Sequence, residues 1–258
     1  MTSTYLDSIV AFHRRRASSD SRDARSLLEA ASKTAATRGF RDSLVNNDHL
    51  SVIAEIKRRS PSKGDLAIDL DPGELAKSYL VGGASCLSVL TDEPHFGGSA
   101  SDLLLAKAAV TLPVLRKDFT VDIRDVCDAR LMGADCALVI VAALSIAEVT
   151  SFIEVAHGLA MDVLAEVHDE KELEIAINAG ASLIGVNQRD LETFVVDHER
   201  AVRMGAAMPK DVVSVAESGV RGRDDALALR DAGYNAVLVG EHLVMAPDPA
   251  RALAELLV

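Results

Sequence analysis

VGGASCLSVL, residues 81–90, closes a helix on glycine and opens an apolar strand within a few residues. Glycine just past a helix end takes the left-handed conformation at little cost. The phrase returns as LMGADCALVIV (131–141), NAGASLIGVN (178–187) and DAGYNAVLVG (231–240). Each strand is apolar throughout rather than on alternate residues. That pattern belongs to parallel strands covered by helices on both sides. Less obvious strands bring the expected set to 52–57, 85–91, 112–117, 136–141, 162–167, 183–187, 212–217 and 235–240. Helical patterns fill the intervals, for example 169–178 and 224–231, each opened by an aspartate read as an N-cap. Eight β-α units predict an α/β fold of the (β/α)8 TIM barrel class. The alternative, a doubly wound open sheet, would carry G-x-G-x-x-G after its first strand, and the chain has no such run.

Outward from the repeats, the 258 residues read as one barrel domain, 1–258, with residues 1–50 an N-terminal helical extension and 51–258 the barrel. Leu6, Ile9, Val10 and His13 follow helical spacing, and Leu27, Leu28 and Ala31 begin a second amphipathic pattern. Arg14 to Arg16 read as a solvated helix face. The chain is 49% hydrophobic with a net charge of −12, which argues against nucleic acid and anionic membrane as partners. No signal-peptide pattern is present, and the longest apolar run, residues 136–144, is far short of a bilayer span. Cys86, Cys127 and Cys136 form no C-x-x-C pair and read as buried thiols. A cytoplasmic protein is expected.

VIAEIKRRSPS, residues 52–62, then poses a question of faces. Val52, Ala54 and Ile56 share one face of the strand, and Glu55 and Lys57 the other. In a barrel the apolar set faces the helices, so Glu55 and Lys57 point inward near the mouth, where such enzymes keep their catalytic groups. The other strand ends repeat this: Lys117 in LPVLRKD, Glu166 in VLAEV, Asn187 in LIGVN with Arg189 beyond, and Glu217 in VVSVAE. Burying so many charges without a use is costly.

ESGVRGRDDA (217–226) and VGE (239–241) follow the seventh and eighth strands, where backbone N–H groups of such barrels hold phosphate. Ser218, Gly219, Gly240 and Glu241 are the candidates there. Ser60 and Lys63 in the first loop are further donors. The seven histidines show no ligand spacing, so no metal is expected.

These segments resemble indole-3-glycerol phosphate synthase in order and spacing: VIAEIKRRSPS, SVLTDEPHFGGS, LPVLRKDF, LAEVHDE, IGVNQRDLETF, VAESGV and VLVGE. The likeness spans residues 5–258, and its E-x-K-x-x-S-P-S and L-R-K-D-F motifs are specific. It implies a carboxy-lyase of tryptophan biosynthesis that needs no cofactor. Its substrate is a small anionic phosphosugar carrying an anthranilate group, 1-(2-carboxyphenylamino)-1-deoxyribulose 5-phosphate. The resemblance makes Lys117 the general acid of ring closure. Lys57 orients the substrate carboxylate or acts as acid in dehydration. Glu166 is the base, Glu55 and Glu217 tune the lysines, and Asn187 and Arg189 hold substrate. Phe96 and Phe119 would wall the anthranilate ring. The extension is expected to dock near the barrel mouth, and the protein to be a monomer, with other pathway enzymes as the remaining candidate partners. One departure is His242, where the family usually has a small residue.

Two other functions compete. Phosphoribosylanthranilate isomerase would need a Cys and Asp acid-base pair at strand ends, whereas Cys86 lies within a strand and Cys136 opens one. A silent phosphosugar-binding paralogue would be expected to lose Lys117 or Glu166, and both are present.

Overall fold

The computed structural model describes residues 4–45, 47–60, 63–190 and 195–258. Residues 61–62 of the S-P-S motif and residues 191–194 lie outside that set. Among the described residues, eight parallel strands close a barrel: β1 (Ser51–Ile56), β2 (Cys86–Leu90), β3 (Val114–Lys117), β4 (Cys136–Ile140), β5 (Asp162–Val167), β6 (Leu183–Asn187), β7 (Val213–Glu217) and β8 (Ala236–Val239). Each strand pairs with the next in sequence, and β8 returns to β1 through Ser51 opposite Ala236. The expected strands are all present: β1 is shifted back by one residue, β5 and β6 match, and the rest are shorter by one or two residues at one or both ends.

Three helices precede the barrel: α1 (Tyr5–Ser19), α2 (Ala24–Ser32) and α3 (Asp42–Val45). The outer layer is α4 (Pro72–Gly82), α5 (Glu93–Phe96), α6 (Ala100–Ala109), α7 (Ile123–Leu131), α8 (Ile146–Gly158), α9 (Glu170–Asn178), α10 (His198–Ala207), α11 (Arg223–Asp231), α12 (Glu241–Val244) and α13 (Pro249–Ala254). The repeated glycine phrase sits at four helix-to-strand turns, where Gly83, Gly133, Gly180 and Gly233 all have positive φ. Asp169 caps α9 by accepting from the Glu172 N–H. Asp224 does not cap α11. That helix starts behind Gly222, and Asp224 and Asp225 lie in its first turn, where carboxylates suit the helix dipole.

Side-chain alternation separates two cores. Val52, Ala54 and Ile56 join the large cluster between sheet and helices. Ile53, Leu115, Leu164 and Val215 point inward and join a smaller cluster inside the barrel. Counting two residues onward along the same faces gives Glu55, Lys117, Glu166 and Glu217. The polar mouth therefore follows from the pleat that fills the interior.

The extension does more than dock at the mouth. Leu6 lines the mouth, but Phe40 and Leu44 pack into the inner cluster, so the segment also closes the far end of the barrel. Arg14 and Arg16 keep 38% and 41% of their side chains exposed, yet they are not merely solvated. Arg14 bonds Glu148 at 2.6 Å and the Val121 carbonyl at 2.8 Å, and Arg16 pairs with Asp125. They fasten α1 to α7 and α8, and Arg15 alone of the three is exposed without such a bond. The three cysteines are buried thiols, and burial pushes the pKa of each upward. Among the described residues no helix is long and apolar enough to cross a membrane.

Candidate active site

At the C-terminal ends of the strands the barrel opens into a cavity of about 1000 Å³. All the candidate residues line it: Glu55, Lys57, Lys117, Glu166, Asn187 and Glu217, with Ser60, Phe96, Phe119, Arg189, Ser218, Gly219, Gly240 and Glu241 around them.

Two ion-pair groups occupy its floor. Lys57 Nζ lies 2.6 Å from Glu55 Oε1. Lys117 Nζ donates to Glu166 Oε2 at 2.7 Å and to Glu217 Oε2 at 3.2 Å. The Asn187 amide donates to the other oxygen of Glu166 at 3.0 Å, and its own carbonyl accepts from Ser218 Oγ at 2.9 Å. Two glycines make room for this. A Cβ on Gly240 would lie 2.3 Å from Glu55 Oε1, and one on Gly185 would lie 2.0 Å from Glu217 Oε1.

Burial opposes the charge on Lys117, but Glu166, Glu217 and Glu55 together outweigh it, so its pKa rises and it stays an ammonium. Burial would also raise Glu166; Lys117 and then His168 reverse that and hold it about 2. Glu217 goes the other way. Burial raises it, Lys117 only partly compensates, Glu166 adds repulsion, and it sits at about 7. Three carboxyls crowd the two ammoniums, and the repulsion from Glu166 and Glu55 adds to burial in favouring the neutral form of Glu217. Glu217 Oε1, buried and without a hydrogen-bond partner, is consistent with that assignment.

Glu217 supplies a first expected outcome. Its folded pKa is raised, so its contribution to stability is present below the ordinary carboxyl range and is lost as pH climbs through about 7. Glu217→Gln mimics the neutral form permanently. It should match the parent's melting temperature at pH 5 and exceed it at pH 8, by roughly 2–4 °C for each kcal/mol relieved. A Gln variant less stable at both pH values would show that Glu217 is held as a carboxylate.

The aromatic pair lies on the same side as β2 and β3. Phe96 and Phe119 stand 6.2 Å apart between ring centroids, tilted by 38°. Arg116, next to Lys117, turns outward and bonds Asp118 at 2.8 Å and the Asp125 carbonyl at 2.9 Å. It thus anchors the strand end that aims Lys117 inward.

The loops after β7 and β8 form the cradle. Ser218 and Gly219 both have positive φ. Gln188, fully buried, donates to the Ser218 carbonyl at 2.9 Å and is held in turn by His198 Nδ1 at 3.0 Å. Glu241 pairs with Lys63 at 2.7 Å, and the Lys63 N–H donates to Ser60 Oγ at 3.2 Å. The Arg189 N–H donates to Asn187 Oδ1 at 3.0 Å. Arg221 and Arg251 also line the cavity, each paired with a carboxylate, Asp225 at 3.1 Å and Glu255 at 3.3 Å. His242 lines it too, with its Nε2 buried and unpartnered.

Sequence reading missed Arg221, Arg251, His198 and His168. Arg221 was in view within ESGVRGRDDA, and His168 two residues past Glu166 on the same face. His198 and Arg251 carried no local signal. His13, Asp92 and His95 bring ligating atoms within 4.8 Å, a grouping that histidine spacing alone does not reveal. Each imidazole bonds one oxygen of Asp92, at 3.1 and 2.9 Å, and the trio clasps α1 to α5.

A sequence model described as indole-3-glycerol phosphate synthase matches residues 6–256. Indole-3-glycerol phosphate synthase 2 of Streptomyces coelicolor is 48% identical over 227 residues, 88% of either chain. Indole-3-glycerol phosphate synthase of Mycolicibacterium vanbaalenii is 51% identical over 207 residues, 80% of this chain and 76% of the relative. Among solved structures, thiamine phosphate pyrophosphorylase from Pyrococcus furiosus superposes with a TM-score of 0.60 at 17% identity, over 80% of this chain and 93% of that one. The N-acetylmannosamine-6-phosphate 2-epimerase from Clostridium perfringens gives 0.60 at 13% identity, over 78% and 90%. These two likenesses speak for the fold alone.

Proposed function

Because the chain belongs to the indole-3-glycerol phosphate synthase family, we propose a division of labour among its mouth residues for that family's reaction. The activity is that of a carboxy-lyase in tryptophan biosynthesis. It closes the pyrrole ring of 1-(2-carboxyphenylamino)-1-deoxyribulose 5-phosphate and releases carbon dioxide and water. The observation that carries the assignment of roles is the Lys117 ammonium held between Glu166 and Glu217.

In this reading the aryl carbon attacks the substrate carbonyl, and negative charge grows on its oxygen. Lys117 lies where it can donate a proton as that charge develops. A firmly held proton passes only to a strong base, and the nascent alkoxide is one. Breaking the bond to the carboxylate then returns an electron pair to the ring and restores aromaticity. Lys57, steadied by Glu55 at 2.6 Å, orients that carboxylate and protonates the departing hydroxyl. Glu166, ionised and aligned by Asn187, takes the proton lost in dehydration. Glu217 tunes Lys117 from its other side. Phe96 and Phe119 supply apolar walls for the anthranilate ring, and Ser60 and Arg189 hold polar parts of the substrate.

The phosphate belongs to the backbone N–H groups near Ser218, Gly219, Gly240 and Glu241. Lys63 would exchange its bond to Glu241 for the phosphate. Inorganic phosphate is therefore expected to compete with substrate and to raise the melting temperature by mass action. A melting temperature indifferent to phosphate would remove these loops from the binding site.

We read residues 1–258 as one domain, since Phe40 of the extension is buried inside the barrel. The whole candidate site lines one cavity of one chain, which supports an active monomer. Three buried free thiols support a reducing, cytoplasmic setting. Incubating the purified protein with the carboxyphenylamino substrate and following indole fluorescence tests the reaction. Absence of turnover would leave the two competing readings, another phosphate-binding barrel enzyme and the silent paralogue.

A further inference from the structure

We propose that His168 relays protons between Glu166 and Glu172, and so joins the buried lysine–glutamate cluster to solvent from behind. The proposal rests on the reading of Glu166 as the base.

The geometry is a line of three groups. His168 Nδ1 lies 3.0 Å from Glu172 Oε2, and the same carboxylate oxygen accepts the His168 backbone N–H at 2.8 Å. On its other side, His168 Nε2 is buried, has no hydrogen-bond partner, and lies 3.5 Å from Glu166 Oε1. An approach of about half an ångström would close that gap to a normal hydrogen bond. Glu172 reaches the surface with 19% of its side chain exposed, while Glu166 keeps only 3%. His168 itself does not line the cavity. It is a positioning residue that acts through Glu166.

The chemistry supplies a use for such a line. Ring closure makes a carbon–carbon bond, and the carbonyl oxygen takes up one proton. Decarboxylation breaks the bond to an ionised carboxylate, and its electron pair stays with the ring, so carbon dioxide leaves without a proton. Dehydration breaks a carbon–oxygen bond; the hydroxyl takes a second proton to leave as water, and one proton passes from substrate to the base. Two protons are given and one is recovered, so every turnover draws one from solvent. With substrate seated, the mouth is occupied. An imidazole accepts a proton on one nitrogen and releases one from the other. From Glu172 through His168 the proton reaches Glu166, which touches Lys117 at 2.7 Å.

The charged groups around the ring favour its protonated form. Burial works against it, but Glu172, Glu166 and Glu217 raise its pKa above the ordinary histidine value. Lys117 stands beyond Glu166 and opposes them.

The test uses the full chain with the carboxyphenylamino substrate. The parent must turn over first; failure there would strike the proposed reaction and leave the relay without a reaction to serve. Given an active parent, His168→Ala should lower kcat by roughly 10- to 100-fold, within the range for lost proton transfer, and leave KM within about twofold. Added imidazole should restore much of the loss, and the alkaline limb of the kcat profile should move. Glu172→Gln should give a smaller loss in the same direction. If the Ala variant fails to fold, His168→Gln keeps a polar side chain but cannot shuttle, and the same fall in kcat is expected. A kcat within twofold of the parent in a folded variant, or a loss that imidazole leaves untouched, would overturn the relay.

Discussion

Lys117→Met is expected to leave a folded protein that binds substrate and turns it over roughly 10² to 10⁴ times more slowly, the range for a lost general acid. Methionine keeps much of the stem volume and removes both charge and proton. The Lys117 side chain is only 15% exposed and holds Glu166 and Glu217 together, so its loss leaves two carboxyls facing each other. Glu217 is already raised to about 7, and without the ammonium it takes up a proton more readily still. That relief allows the fold to survive the substitution. Lys117→Arg should not rescue turnover, because a guanidinium hardly gives up its proton and has a different shape. A purely structural Lys117 leads elsewhere: a lower melting temperature with kcat spared. Measuring both on the Met variant separates the two, and a folded variant with near-normal kcat would sink Lys117 as the acid.

The second large effect is expected at Gly219. Its φ is +76°, and a Cβ there would meet Val196 Cγ1 at 2.5 Å and His198 Cε1 at 3.1 Å. Gly219→Asp adds a carboxylate to a loop whose N–H groups are proposed to hold phosphate. Losing two charge-assisted hydrogen bonds, at about 1.5–3 kcal/mol each, raises KM by on the order of 10² or more. Gly219→Ala carries the same backbone strain and the same clash without the charge, so it serves as the control. The Asp variant should be far worse than the Ala variant in KM, while the two lose similar thermal stability. Equal KM values for both would mean that no anion sits beside Gly219.

Much of the fold was written locally. The glycine phrase and the uniformly apolar strands gave eight β-α units because helix ends and doubly covered strands are properties of short segments. The floor residues were equally legible: alternation from Ile53, Leu115, Leu164 and Val215 sends Glu55, Lys117, Glu166 and Glu217 inward, and no other part of the chain is needed to see it. Gln188 and His198 were not legible, since a buried amide and a histidine at the first position of a helix carry no period. The arginine run misled for a related reason. Spacing tells which way Arg14 and Arg16 point along a helix, but not that Glu148 and Asp125 wait there. Residue 224 misled because a cap depends on where the chain turns, and Gly222 set that point.

By itself, then, the sequence determined the barrel, the face of each strand and the chemical types at its mouth. Only the tertiary structure decided the pairing. Lys117 meets Glu166 and Glu217 across separations of 49 and 100 residues, and the raised pKa of Glu217 depends on its burial and on Lys117, Glu166 and Glu55 together. It also decided that Phe40 stoppers the barrel from below and that His168 stands between a buried carboxylate and a surface one. Side-chain direction is set by a residue's own backbone and is readable one strand at a time. Distance between groups is set by closure of the ring, and closure belongs to the whole chain.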